Sequence, residues 1–398
     1  MKMKNKIVYI GNFIYPDGNA AGKRVASNAK LLNYLGFQVL FIGKKSPNLD
    51  KENESKIYEI NIEKKSVVTQ LTSNAKVFEK VKEYINTLDL DTISAVILYG
   101  ELTNASLNLK IINWLKKEKV KVLVDCVEWW QEKDGNYIYR LIKNLNTSLL
   151  MKYVNKKSDG IIAISKFLSN YYSESGLKTI VLPPLVENKF SEIKKDNKNF
   201  QFIYAGSPFR LGISNMSSDA MKDRLDSAIE ILIKLKKIIP NIKFDIYGIT
   251  KNQYTYSVPK HENLLEKHKE WIIFHGGVSN KELQNIIAHA NVTLLIRDEN
   301  LVTRAGFSTK LAESLSLGTP VITTAIGDVS TYVKENITGL VLPIGKSYDY
   351  YSEKIADFLS NQRISGCEDQ ATPFDVFFYK NYKTDMKKFL IEIGILEK

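Results

Sequence analysis

A chain of 398 residues exceeds what one ordinary hydrophobic core organises and points to two domains. Its 44% hydrophobic and 25% charged residues are those of a globular protein, which sets aside a disordered chain, and no apolar run approaches a membrane span. The net charge of +12 lies mostly in residues 1–188, which hold 28 Lys/Arg against 19 Asp/Glu, and such an excess attracts nucleic acid, anionic membrane or phosphorylated substrate alike.

The opening "MKMKNKIVYIGNF" has a basic start and a short apolar run entering a Gly-Asn turn, so it reads as a first buried strand and not as a signal peptide. Further strands are predicted at 38–44, 95–100, 121–127 and 160–165, with helical stretches at 20–35, 103–118 and 136–157 between them. Continuous Val/Ile/Leu runs separated by helices mark a parallel sheet covered on both faces. A double proline in "TIVLPPLVENKF" (179–190) and a Lys/Asp/Asn-rich segment to Asn199 suggest a boundary. The pattern then restarts with strands at 200–206, 242–248, 271–277, 291–297, 320–324 and 339–343, and closes with one or two helices in 373–398. The expected fold class is α/β: two doubly wound, Rossmann-like domains facing across a cleft, with the C-terminal helix closing back on the N-terminal domain. The expected bounds are 1–185, 186–372 and 373–398.

Several motifs mislead. "GNAAGKR" (18–24) has three residues between its glycines, and Arg24 stands where a Walker A loop needs Ser/Thr. It reads either as a flexible loop or as a glycine-rich loop at the cleft, where the bare backbone of Gly22 approaches a ligand closely. "DLD" (89–91) resembles an Asp-x-Asp metal clamp, but it precedes a predicted strand and reads as solvated turn residues. The four histidines show no metal spacing, and Cys126 and Cys367 form no disulfide framework or zinc cluster, so a reducing cytoplasm is expected. Residues 136–157 carry Arg140, Lys143, Lys152, Lys156 and Lys157 with no acid between Asp134 and Asp159. Ile138, Leu141, Leu145 and Leu149 fall at helical spacing, flanked by Tyr137, Tyr139 and Tyr153. Two readings stay open: a core-packed helix with a wet basic face, or a helix lying on an anionic membrane.

The most informative stretch is "RAGFSTKLAESLSLGTPVITT", Arg304 to Thr324. "NVTLLIR" ends a predicted strand, 298–307 reads as a loop containing Gly306, and Ser308 as the N-cap of a helix. The unpaired amides of that helix start carry the positive end of its dipole and suit a diphosphate. Glu313 shares a helix face with Thr309 and lies about 7 Å further in, the step from a nucleotide's phosphates to its ribose hydroxyls. A carboxylate accepts two hydrogen bonds at once and so suits a ribose diol. Arg297, at the end of its strand, is expected to contact the same ligand.

With these residues in place the sequence resembles the retaining glycosyltransferases of GT-B fold, particularly family 4. The resemblance rests on "YPDGNAAGKR", "YAGSPF…KDRLDSAIEIL", "FHGGVSNKELQ", "AGFSTKLAESLSLGTPVI" and "NITGLVLP", and it runs over nearly the whole chain. It implies that the N-terminal domain binds an acceptor and the C-terminal domain a nucleotide sugar, UDP-sugar favoured. The implied donor site comprises Gly22, Ser207, Arg210, Lys222, Val278, Arg297, Gly306, Phe307, Ser308, Thr309, Lys310 and Glu313. Glu313 matches the second acid of the family's Glu-x7-Glu motif, the ribose-binding one, whereas Ala305 stands where the first would be. Lys222 matches the phosphate-binding lysine and Arg210 its basic partner. Glu128 in "DCVEWW" stands where relatives often carry a His, and is expected to orient or deprotonate the acceptor hydroxyl.

The expected reaction moves a hexosyl or N-acetylhexosaminyl group, with retention, to a hydroxyl of a glycan or lipid-linked acceptor. Lys222 and the helix start at Ser308–Lys310 stabilise the departing diphosphate, so no metal or cofactor is required. A basic first half and the helix at 136–157 suggest a lipid-linked or otherwise anionic acceptor at the inner face of the membrane. The Lys/Asn/Ile-rich composition fits a bacterial source, so surface polysaccharide or glycoconjugate synthesis in a bacterial cytoplasm, peripheral to the membrane, is expected. Nucleic acid is set aside, since no recognition module is visible. Two alternatives remain: a nucleotide-sugar epimerase on the same fold, and a non-catalytic GT-B subunit that binds acceptor protein for an active partner.

Overall fold

The computed structural model describes residues 4–47, 49, 51–60, 67–102, 104–133, 136–187, 200–361 and 374–397. The boundary segment 188–199, Asp134 and Cys367 lie outside the described residues. The chain forms two compact units: Met1–Glu187 with Ala305–Phe307 and Phe378–Lys398, and Asn188–Arg304 with Ser308–Phe377.

The first unit is built on seven strands, β1 (Lys6–Tyr15), β2 (Gln38–Lys45), β3 (Ile57–Glu59), β4 (Ile93–Tyr99), β5 (Lys121–Cys126), β6 (Gly160–Ala163) and β7 (Thr179–Val181). They lie in the order β3-β2-β1-β4-β5-β6-β7, all parallel. Central strands rich in Val, Ile and Leu are buried on both faces, which is why their sequences run apolar without alternation. Two strands of three residues each, β3 and β7, were not anticipated because they are too short to show a pattern. Strand β1 also runs on through Gly11–Asn12, where a turn was expected, with its register to β2 shifting between Ile10 and Ile14.

The C-terminal helix Lys383–Glu392 belongs to this unit. Met386, Phe389, Leu390 and Ile393 enter the same core as Ile162, Ile180 and Leu182, so the chain does close back on its N-terminal half. Cys126 is buried near Met151 and Tyr172, and burial pushes its thiol up to about 12.

The second unit repeats the plan with β8 (Phe200–Ala205), β9 (Ile242–Tyr247), β10 (Ile272–Gly276), β11 (Val292–Leu295), β12 (Val321–Thr324) and β13 (Gly339–Leu342). The order is β10-β9-β8-β11-β12-β13, again parallel throughout. Both units are thus doubly wound, as expected.

Two local expectations need correction. The stretch 298–307 is not all loop: Leu301–Ala305 is a short helix. It is started by Asn300, whose side chain accepts from the Thr303 amide at 3.0 Å while its own amide donates to Thr303 Oγ1 at 2.9 Å. The helix expected over 136–157 is regular only through Tyr137–Leu149, then loosens into a wide turn, Leu150–Val154, and a tight one, Asn155–Lys157. Its apolar stripe is not core-packed. Ile138, Leu145 and Leu149 are exposed, and Thr147 is the buried side chain of the regular part. Among the described residues no helix is long and apolar enough to cross a membrane.

Candidate functional site

Open parallel sheets receive ligands outside the carboxyl ends of their strands where the winding direction reverses. In the second unit that point lies between β8 and β11. Here Asp223, just ahead of the Leu225–Ile238 helix, is fully buried. Its Oδ1 accepts from Arg297 Nε at 2.7 Å. Its Oδ2 meets the Lys310 ammonium at 2.8 Å and accepts from the Tyr204 hydroxyl at 2.9 Å. Burial alone would raise the Asp223 pKa, but Lys310 and then Arg297 outweigh it and hold the carboxyl well below the usual range. Burial beside this carboxylate pushes the Tyr204 phenol far the other way. Among these side chains one acid against two cations leaves a surplus positive charge, while Arg224, next in the chain, pairs with both Asp226 and Asp298.

Each member is placed by its element. Tyr204 is on β8, and Arg297 follows β11, with its amide donating to Thr324 Oγ1 at 3.0 Å. Lys310 sits in the first turn of the Thr309–Ser316 helix, and its ammonium also lies 5.6 Å from the Tyr204 ring centre. Its methylene chain runs over Gly206, which has a φ of +133°; a Cβ there would stand 2.4 Å from Lys310 Cε. Glycine accepts that angle, and a larger residue would also have to push the end of the Lys310 side chain aside.

Ser308 occupies the N-cap position with extended backbone, yet its side chain caps nothing. Its Oγ is buried and, among the described residues, has no hydrogen-bond partner. Leaving a buried hydroxyl unsatisfied costs about 1–3 kcal/mol. The hydroxyl and the free amides of the helix start together offer donors to an anionic oxygen. Glu313 is half-buried on the same helix, the fifth residue along it.

The remaining expected residues scatter in character. Lys222 is half-buried beside Asp223 in the chain, and Arg210 is exposed. The Ser207 hydroxyl donates to the Phe209 carbonyl at 2.6 Å. Val278 packs against the cluster of Ile203, Ala205, Tyr247, Ile287 and Ala290, while Tyr247 stacks on His275 with ring centres 4.3 Å apart. Thr309 is half-buried at the helix start, and Gly306 and Phe307 are buried, grouping with the first unit. Ala305 is fully buried too.

Gly22 and Glu128 belong to the first unit. Gly22 lies in the first turn of the Ala20–Tyr34 helix, not in a loop, and its amide donates to the N-cap Asn19 at 2.7 Å. A Cβ on it would stand 2.0 Å from the Ile14 carbonyl oxygen, so its bareness serves chain packing. Glu128 is exposed just past the carboxyl end of β5. The acids at 89–91 lie at the opposite, amino end of β4, where Asp89 accepts from the Asp91 amide. Among the described residues no group of three or more His, Cys, Asp or Glu is placed to hold a metal ion.

Two residues were missed from sequence. One is Asp223, the acid on which Arg297 and Lys310 converge. The other is Asp125, fully buried on β5. It accepts from Arg24 Nη2 at 2.7 Å, Tyr9 at 2.7 Å and Asn28 at 3.1 Å. The signal available was topological: each acid lies at a strand or helix end that a Rossmann-like sheet brings against a basic residue.

Residues 213–371 match the model for glycosyl transferases group 1. The chain is similar to the sucrose-phosphate synthase of Thermosynechococcus elongatus, with a TM-score of 0.66 and 14% identity over 98% of this chain and 99% of that one. It is similar to the pneumococcal O-GlcNAc transferase GtfA in complex with UDP and GlcNAc, TM-score 0.65 and 12% identity over 98% and 99% of the two chains. It is also similar to Anabaena HepE in complex with UDP, TM-score 0.60 and 13% identity over 97% and 100%. No curated protein matches the chain by sequence. The fold is GT-B, and the second unit carries a glycosyltransferase domain.

Proposed function

Starting from a glycosyltransferase domain on a GT-B fold, we propose that this chain is a retaining transferase. It moves a hexosyl or N-acetylhexosaminyl group from a UDP-sugar to a hydroxyl of a glycan or lipid-linked acceptor. The observation that carries the reading is the positive surplus around Asp223, next to a helix start whose Ser308 hydroxyl has no partner. Such a place fits a diphosphate, and Glu313 on the same helix fits the ribose diol. Similar chains solved with UDP, HepE and GtfA, support that base over others.

The chemical task is to stabilise charge on the departing diphosphate while an oxocarbenium-like centre forms. Lys222, Lys310 and the amides of the helix start supply donors aimed at that charge. In front-face attack the anomeric C–O bond to the diphosphate breaks as the acceptor oxygen bonds to the same face, and the acceptor proton passes to the leaving phosphate oxygen. Glu128, exposed past β5, orients the acceptor hydroxyl. Ala305 leaves the donor sugar without the family's first acid, and the amides around Gly306–Thr309 take its place. In this reading residues 1–185 bind the acceptor, 186–372 the donor, and the enzyme works at the inner face of a bacterial membrane in surface polysaccharide or glycoconjugate synthesis.

The test is thermal stability of the purified protein against UDP-, GDP- and dTDP-sugars, with Glu313→Ala alongside. The expected result is an upward shift for a UDP-sugar that the variant loses. No shift with any nucleotide overturns the donor assignment.

A further inference from the structure

The Tyr137–Leu149 helix is amphipathic, and it is mounted with its apolar side outward. Its polar side holds it to the first unit. Asn146 donates to Glu101 Oε1 at 2.5 Å and accepts from the Ala105 amide at 2.9 Å. Asn144 accepts from the Glu132 amide at 2.7 Å and donates to the Glu132 carbonyl at 3.2 Å. Thr147 is buried between these positions. Ile138, Leu141, Ile142, Leu145 and Leu149 then face away, Ile138 being 68% and Leu145 60% exposed. An apolar helix face of this extent left in water marks a binding surface.

Charge says what covers it. Residues 136–158 hold five Lys/Arg and no acid. Lys152 is exposed, and Lys157 lies 4.6 Å from the ring centre of exposed Tyr153. Tyr137, with 71% of its surface exposed, stands at the other end of the stripe. An apolar stripe tipped by tyrosines and followed by exposed Lys152 and half-buried Lys157, with Arg140 Nε turned into the protein, has the layered chemistry of a bilayer surface: acyl boundary, headgroup belt and anionic phosphate.

We propose that this helix lies in the plane of an anionic phospholipid bilayer, its apolar side in the headgroup–acyl boundary. The Asn144 bonds to Glu132 fasten the helix to the segment that begins at Glu128. Bilayer docking therefore holds the residue assigned to the acceptor hydroxyl close to the lipid surface. This last point rests on the proposed transfer reaction; the docking itself does not.

The experiment is flotation of the full chain, without nucleotide, on phosphatidylcholine vesicles with and without about one third phosphatidylglycerol. The wild type is expected to float with the anionic vesicles and to be released by salt. Ile138→Asp/Leu145→Asp changes only exposed positions and is expected to weaken binding about tenfold or more. An unchanged nucleotide thermal shift in that variant shows that the fold and donor site survive. Exposed Trp130, followed by fluorescence against a Trp130→Phe variant, is expected to shift to the blue on anionic vesicles. A wild type that stays at the bottom of the gradient overturns the proposal, as does flotation indifferent to the double substitution. If the wild type instead forms dimers that the substitutions dissociate, with no vesicle binding, the face is a protein interface and the proposal fails.

Discussion

Each unit buries a carboxylate under a tyrosine from its first strand and pairs it with an arginine, but the two clusters end differently. Around Asp125 the count is even. Arg24 spends Nε and Nη2 on the acid and Nη1 on the Leu182 carbonyl at 2.8 Å, and both side chains of the pair are at most 3% exposed. Around Asp223 there is a second cation, Lys310, which remains 19% exposed and stands at a helix start with an unsatisfied hydroxyl. A closed, neutral cluster ties the Ala20–Tyr34 helix to β5 and can do little else. An open one with a surplus charge and a spare donor is, in the proposed reading, the place for an anion that arrives from outside.

The largest effect expected from this contrast is on stability. Asp125→Asn strands the buried Arg24 and is expected to cost about 3–5 kcal/mol, a drop in Tm on the order of 10 °C. Nucleotide affinity of the protein that remains folded should be unchanged in a titration. If affinity falls and Tm does not, the first cluster is part of a binding site and the contrast is wrong.

Lys310→Met should show the reverse balance: nucleotide Kd raised about tenfold to a hundredfold, with a smaller loss of Tm than Asp125→Asn. It should also change the response to acid. Because the Asp223 carboxyl is held down, its stabilisation is present above the ordinary carboxylate value, about 3.9, and is lost as pH falls through the depressed value. Removing Lys310 takes away the stronger of the two opposing charges and lifts the folded-state value toward the unfolded one, so in a Tm-versus-pH series the acid loss should be smaller and should level off at a higher pH. Coincident acid limbs for variant and wild type would count against the cluster as drawn.

Ser308→Ala is the smallest and the most discriminating. Deleting a hydroxyl with no partner should leave Tm unchanged or raise it slightly, while nucleotide binding weakens about fivefold. A variant that loses stability would mean that the hydroxyl has a structural partner after all.

Both sheets and the restart at Phe200 were readable because buried parallel strands write themselves as unbroken apolar runs. The start of the Glu313 helix was readable for a similar reason, since a cap residue and a helical period are local. What escaped was non-local or directional. Asp223 and Arg297 are 74 residues apart, and Arg24 and Asp125 are 101 apart; sequence shows no link within either pair until the strand order is known. Periodicity likewise placed Ile138, Leu141, Leu145 and Leu149 on one face without saying which way that face points. The Asn144 and Asn146 bonds decide it, and asparagine in a helix looks the same from sequence whether it is wet or anchoring.

The slot over Gly206 has a consequence for how this chain can change across generations. While Lys310 remains, its methylenes fill the volume any larger residue at 206 would need. A lineage that first loses Lys310 removes that steric obstacle and keeps the cost of a positive φ, about 1–3 kcal/mol. Once a side chain has settled at 206, a returning lysine has to swing its chain end aside and reach Asp223 by another rotamer. The two positions therefore drift more readily in one order than in the other, and the lysine protects the glycine for as long as it stands.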